Sequence, residues 1–318
     1  MSQGGCGFRL HRVPSCKKRR DEPSAVYFSE DIWVSFRYCL MTTTIGSSFK
    51  ADLHVHSDYS EDSRSKVGQI VRRAFELGLD LVAITDHFVD KAFHDLKAKP
   101  ALFLDKSFIV EVQDRFVLVA NEHRKLIIVK GKEASTREDY HVIALAYAGQ
   151  VRNFRCLEET LREIEQNGGI SIIPHPCNTA SHGVGIRNLR HLIELRDPLC
   201  FDAIEIFNAN NILPYPWADW QSLRFAQRQG LPGVASSDAH QLRHVGMAHT
   251  VFDGTLDLGS SEDFAVSLRS LVRRGASAFK SQHVPLLEFA DWFILPKIRS
   301  LLMGRTPRVQ PPPGYEDY

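Results

Sequence analysis

The chain has 318 residues, 43% of them apolar and 24% charged, with a net charge of +1. That length holds one barrel-sized domain or two smaller ones, and the balanced charge excludes a composition-based case for nucleic acid or an anionic membrane as partner. No apolar run approaches the roughly eighteen residues of a spanning helix. Lys17-Lys18-Arg19-Arg20 lead into no apolar h-region, so no secretory signal is read and no stable membrane insertion is expected. The six cysteines (Cys6, Cys16, Cys39, Cys156, Cys177, Cys200) form no Cys-x-x-Cys pair and read as reduced thiols of a cytoplasmic protein.

Residues 1–48 lack a period and read as a loosely ordered leader, with Met41 as an alternative start just before the first strand. From Lys50, strand-like and helical patterns alternate. Ala51–His56 is a strand. Val67, Ile70, Val71, Ala74 and Phe75 form one face of an amphipathic helix, and Gly78 stops it. Leu79–Thr85 is the next strand. A helical stretch near Ser107–His123 is expected to lead into the strand Leu126–Lys130. Tyr140–Ala146 is a strand, and a helix over Leu157–Gln166 ends at Gly168-Gly169 before the strand Ile170–Pro174. Ala203–Phe207 and Gly233–Ser236 are strands on either side of a helix over Trp220–Arg228. Ser260 and Ser261 cap a helix to about Arg274, with Glu262 and Asp263 in its first turn. This alternation predicts an α/β fold with a mostly parallel sheet: a barrel domain over 49–280 and an apolar C-terminal segment and tail over 281–318.

Histidine is the unusual count, at 14, and several sit where strands end. His54 and His56, two apart on a strand, point the same way and can reach one ion. Asp62 follows in a loop that can bend back to it, with Asp58 and Glu61 as competitors. Thr85-Asp86-His87 ends the second strand, and Asp86 is placed to ligate or to orient a ligand. Glu133 follows Ile127–Gly131, where a carboxylate can bridge two metals. His141 opens Val142–Ala146, Pro174 and Pro176 stiffen the backbone around His175, and Asp238-Ala239-His240 puts two ligand types on one side. Strand C-termini on one rim are where barrels of this kind place active sites. The set His54, His56, Asp62, His87, Glu133, His141, His175, Asp238 and His240 mixes imidazole with carboxylate, which suits Zn, Mn or Fe. It exceeds the needs of one ion and implies two or three. Close-set ions are a recurrent arrangement for phosphate-ester hydrolysis.

These segments resemble the four motifs of the PHP (polymerase and histidinol phosphatase) family. Asp52–His56 is similar to its first motif, Gly78-Leu79-Asp80 through His87 to its second, Ile173–Pro176 to its third and Ser237–His240 to its fourth, covering roughly residues 50 to 250. The resemblance implies a distorted seven-stranded (β/α)7 barrel with a trinuclear metal centre at the C-terminal ends of the strands, held by the nine residues above. Asp62-Ser63 departs from the family's frequent Asp-Gly, which affects the loop rather than the ligand. The Glu133-to-His141 arrangement resembles the stand-alone nucleotide-type phosphoesterases more than the histidinol phosphatases.

The expectation is a metal-dependent phosphoesterase acting on a small phosphorylated substrate or short oligonucleotide. Asp238, His240 and Asp86 are the alternatives for handling protons, and Arg64, Lys132, Arg187 and Arg243 are the candidates for binding substrate phosphate. A histidinol-phosphate-type phosphatase, attack at carbon, and a non-catalytic metal-binding interaction module are the competing readings. The segment Leu286–Met303 is expected to pack on the barrel. No motif bears on oligomeric state.

Overall fold

The computed structural model describes residues 44–194, 201–212, 216–290 and 294–295. The expectations placed on most of the leader, on Met41 and on the chain beyond Leu295 lie outside the described residues, as do Cys6, Cys16, Cys39 and Cys200. Apolar, β-branched runs make the strands: β1 (Ser48–Val55), β2 (Leu81–Ile84), β3 (Ile109–Val112), β4 (Phe116–Ala120), β5 (Lys125–Ser135), β6 (His141–Leu145), β7 (Ile170–Ile173), β8 (Ala203–Asn208), β9 (Gly233–Ser236) and β10 (His249–Asp253).

Seven of these build the expected α/β barrel, in the order β1-β2-β5-β6-β7-β8-β9. The ring closes where β9 runs out toward β1, through a bridge between Val55 and Ala239 and a hydrogen bond from the His56 N–H to the Ala239 carbonyl (3.0 Å). Neighbours in the ring run parallel except β6, which is antiparallel to both β5 and β7. The reason lies in the connection between them: residues 136–140 are too few for the crossover of a dozen or more residues that a parallel pair needs. As a result β6 presents its N-terminal end, His141, on the rim where its neighbours present their C-terminal ends.

Among the described residues, six helices of two turns or more coat the outside: α1 (Val67–Leu77), α2 (Lys91–Ala98), α3 (Leu157–Gln166), α4 (Ile186–Glu194), α5 (Ala218–Gln229) and α6 (Ser261–Arg274). α1 buries the predicted stripe and ends at Gly78, whose left-handed backbone (φ 71°) lets its N–H reach the carbonyls of Ala74 and Phe75. α6 begins as predicted, with the Ser260 hydroxyl accepting the Asp263 N–H at 3.0 Å. One buried cluster joins Ile70, Val71, Phe93 and Leu96 to Val82, Leu126 and Ile128, and a second joins Leu161, Ile164, Leu189 and Phe225 to Val142, Ala144 and Ile204. Because side chains alternate along a strand, the residues of β5 in register with Leu126 and Ile128 face outward, and Ile127, Val129, Gly131 and Glu133 face the barrel interior. Of the expected C-terminal segment, Val284 and Phe289 are buried against Ala209 and Ala248. No described helix is long and apolar enough to cross a membrane.

The expected helix over Ser107–His123 is corrected: the stretch is the hairpin β3-β4, and β4 adds to β5 antiparallel. Ile109, Val110, Val112, Val117 and Val119 are β-branched, stiff at χ1 and better accommodated on a pleated surface. Pairing with β5 buries all of Phe116–Ala120.

Gly68 in α1 packs directly on the loop that follows α2. A Cβ there would meet the Phe103 carbonyl oxygen at 2.0 Å. Alanine usually stabilises a helix relative to glycine. Here Gly68→Ala is expected to destabilise by about 1–3 kcal/mol, the usual cost of overpacking. The expected reading is a lower urea midpoint with an unchanged slope.

Candidate metal centre

The barrel rim gathers all nine residues read as ligands. His54 and His56 leave β1 side by side, with their Nε2 atoms 3.0 Å apart. Asp238 Oδ1 stands 3.3 Å from the first and 3.2 Å from the second. Glu133 lies at the centre. Its Oε2 is 2.9 Å from His87 Nδ1 and 3.4 Å from the Nε2 atoms of both His54 and His56. Its Oε1 is 2.9 Å from His141 Nδ1 and 3.2 Å from His175 Nε2. Asp62 bends back over the opening, 3.4 Å from His87 Nε2 and 3.2 Å from His240 Nε2. Four overlapping groups have the spacing to hold an ion: His54–His56–Asp238, His56–His87–His240, His54–Glu133–His175 and His87–Glu133–His141.

The donor set fits cations on its own chemistry. His56 Nδ1 faces Ser60 Oγ at 3.1 Å, and that hydroxyl already donates to Asp86. The imidazole is therefore the donor there, and its Nε2 carries a lone pair. His54 Nδ1 likewise donates to Glu205 (3.0 Å), and His240 Nδ1 donates to the Asp238 carbonyl (2.9 Å). A hydrogen bond on one ring nitrogen fixes which other nitrogen is free to ligate. Three imidazoles so fixed aim Nε2 at one another or at carboxylate oxygens. Glu133 Oε2 and His141 Nδ1 are buried and face only other ligand-type atoms of the cluster, His87 Nδ1 and Glu133 Oε1, each at 2.9 Å.

The backbone is bent to make this possible. His175 and Asp238 both have positive φ (31° and 50°), a cost of order 1–3 kcal/mol each that persists where the surroundings over-determine it. The His175 N–H is pinned by Glu205 Oε2 at 2.8 Å, and Asn208 Nδ2 donates both to that oxygen (2.9 Å) and to Asp238 Oδ2 (3.2 Å). Asn210 also donates to the Asp238 carbonyl.

Without cations the charges pull on one another. Burial pushes the His54 imidazole down, but Asp238, Glu133 and Glu205 outweigh it and hold it well above the usual histidine range. His87 and His240 are also raised against burial, by Asp62 and Glu133 for the first and chiefly by Asp62 for the second. Burial with His240 and His87 as neighbours drives His56 down to about 3, and burial takes His141 to about 4. Burial raises the Glu133 and Asp238 carboxyls, yet the surrounding imidazoles hold both well below the carboxylate range.

Other expected residues stand elsewhere. Asp86 accepts the Ser57 N–H and hydroxyl (2.6 Å each) and the Ser60 hydroxyl (2.9 Å), and so holds the loop after β1. Lys132 is corrected as a phosphate contact: next to inward-facing Glu133, it points the other way and donates to the Val151 carbonyl at 2.6 Å. Arg243 pairs with Glu288 at 2.9 Å. Arg64 and Arg187 are exposed. Three residues that support the site went unread. Asp52 takes the N–H groups of Ser237 (3.0 Å) and Gly246 (2.9 Å), and Glu205 and Asn208 hold the backbone and imidazoles described above. Burial raises Asp52 to about 6, against the hydrogen bonds from Ser237. The signal for Glu205 was a carboxylate between Ile204 and Ile206 in an otherwise apolar strand.

A family model described as PHP domain matches residues 52–155, and one described as PHP-associated matches residues 216–271. An uncharacterized protein of Methanocaldococcus jannaschii is 30% identical over 170 residues, which span 50% of this chain and 82% of that protein. Among solved structures, PsfC from Pseudomonas syringae matches with a TM-score of 0.51 and 16% identity, covering 81% of this chain and 100% of PsfC. A two-domain protein of Bacteroides vulgatus containing a predicted PHP-like metal-dependent phosphoesterase matches with a TM-score of 0.50 and 16% identity, over 76% of this chain and 66% of its own. At such identities the two structures are relatives in fold.

Proposed function

Because the chain belongs to the PHP family, we propose that it is a metal-dependent phosphoesterase that cleaves a nucleotide or short oligonucleotide ester in the cytoplasm. The observation that carries this reading is the convergence of buried imidazole nitrogens on the doubly shared carboxylate of Glu133. Two or three divalent ions of the Zn, Mn or Fe class, when bound, supply an activated water and neutralise phosphoryl charge.

The chain's own residues do the rest. His54, His56 and Asp238 would hold one ion and His87, Glu133 and His141 another; His54–Glu133–His175 and His56–His87–His240 overlap them as alternatives, because one ring nitrogen serves one ion. Asp62 and His87 stand at the open side: the Asp62 side chain is 45% exposed and that of His87 19%, against none for His54. Substrate therefore enters past Asp62. Of the residues read for proton handling, His240, which stands 3.2 Å from Asp62, is the one placed to pass a proton to the leaving oxygen; Asp238 is held ionised by its imidazole neighbours. Arg64, just beyond Asp62, and Arg187 are the remaining candidates to meet phosphate. The free thiols of Cys156 and Cys177 suit a reducing compartment.

Purified protein supplied with Mn or Zn is expected to release phosphate from nucleotide esters, and a chelator should stop it. His54→Ala with His56→Ala should reduce the rate to background while leaving the barrel folded by circular dichroism. Full activity in that double variant would refute the assignment.

A further inference from the structure

Two phenylalanines stand beside the metal centre in a conformation that packing alone does not require. Phe88 directly follows the ligand His87, and Phe154 lies in the loop before α3. Both have left-handed backbones, at φ 64° and 59°. For bulky residues this is uncommon and costly, and it tends to occur where function uses the strain.

Both are suspended from β5. The Phe88 N–H donates to the Glu133 carbonyl at 3.1 Å, and the Phe154 N–H donates to the Ser135 carbonyl at 2.8 Å. Asn153 Nδ2 ties the two loops together by donating to the Phe88 carbonyl at 2.9 Å. The rings then stack, with centroids 5.9 Å apart and planes 28° from parallel, and the Phe88 ring lies 6.2 Å from that of His87. Neither ring joins the two helix-facing clusters of the core. Phe154 is 39% exposed, which leaves an aromatic surface open at the outer end of the stack. The Arg137 N–H donates to the Arg155 carbonyl at 2.7 Å, which ties the loop carrying Phe154 to the end of β5.

We propose that Phe88 and Phe154 form a stacking platform for the nucleobase of the substrate, with Phe154 as the outer contact. The proposal rests on the phosphoesterase reading and narrows it to esters that carry a base near the scissile phosphate. A flat ring accepts any base by its π-face, so the platform selects nucleotides over sugar phosphates without selecting among bases.

The test uses Mn-loaded full-length protein and two non-hydrolysable ligands, the methylenephosphonate analogues of AMP and of ribose 5-phosphate, with calorimetry as readout. Stacking on one aromatic side chain is worth about tenfold or more in affinity. The AMP analogue should therefore bind about tenfold tighter than the base-free one. Phe154→Ala should remove that advantage without changing ribose-analogue binding, and Phe154→Trp should retain it. Equal binding of the two analogues by the unaltered protein, equal weakening of both in Phe154→Ala, or no binding of either would overturn the platform. Hydrolysis of the parent esters is scored separately. Discrimination between analogues with no hydrolysis would sink the phosphoesterase reading and leave the platform standing.

Discussion

Replacing Glu133 with glutamine is expected to cut phosphoester hydrolysis on the order of 10³-fold, the size of losing one preorganised electrostatic contact, and to leave the protein short of at least one metal equivalent. Both carboxylate oxygens are in use, Oε1 toward His141 and His175, and Oε2 toward His87, His54 and His56. An amide keeps the shape but loses the charge, and it offers one acceptor where two are needed. Aspartate keeps the charge and shortens the reach, so Glu133→Asp should retain more metal than Glu133→Gln yet still fail to serve both sides. Metal content by elemental analysis and rate at saturating metal are the two measurements. A glutamine variant with full metal and full rate would show that the central carboxylate is dispensable. Loading should also release protons. His54 and His87 are held well above the ordinary histidine range in the metal-free chain, so near neutrality they carry protons that a cation must displace. The sign follows: uptake weakens as pH falls, and an indicator dye should record acid release on adding metal.

Glu205→Ala or Glu205→Gln is expected to weaken metal binding by roughly 10–100-fold, the usual cost of losing a group that orients a ligand. Glu205 touches no position where substrate would lie. It accepts from His54 Nδ1 on one oxygen, and from the His175 N–H and Asn208 Nδ2 on the other. Every neighbour is a donor. A glutamine must turn its own N–H₂ toward at least one of them, leaving a buried donor unsatisfied at a cost of about 1–3 kcal/mol, so Gln should behave much like Ala. A merely structural role would lower stability without changing affinity for metal in the folded state. Equilibrium dialysis of Mn against the folded variant separates the two, and unchanged affinity would remove Glu205 from the site.

The sequence exposed the candidate ligands because most of them share one grammar: an apolar run, then imidazole or carboxylate where the run stops. His54, His56, His87, Glu133, His175, Asp238 and His240 all obey it. His141 begins its strand instead, and the short 136–140 connection, which forces β6 to run backward, is what brings it to the same rim. Glu205 was illegible for the opposite reason: its partners are backbone and ring N–H groups brought by other strands, and a single carboxylate in an apolar strand announces none of them. The hairpin β3-β4 was missed because Phe108, Val112 and Phe116 also recur at helical spacing. Its β-branched residues decide the matter only once β5 is there to pair with. Lys132 was misplaced by a one-residue shift of face, since neighbours along a strand point to opposite sides.

The ring of strands is joined at one place by a single backbone bridge, Val55–Ala239, with the hydrogen bond from His56 and the bond from the Ser237 N–H to Asp52 beside it. His54 and His56 flank that join on one side, Asp238 and His240 on the other. A cation held between them would be a clasp as well as a reagent. It would fasten the two lips of the cylinder where the backbone does least, and a chain stripped of its ions would lose its reactivity and its hoop strength at the same point.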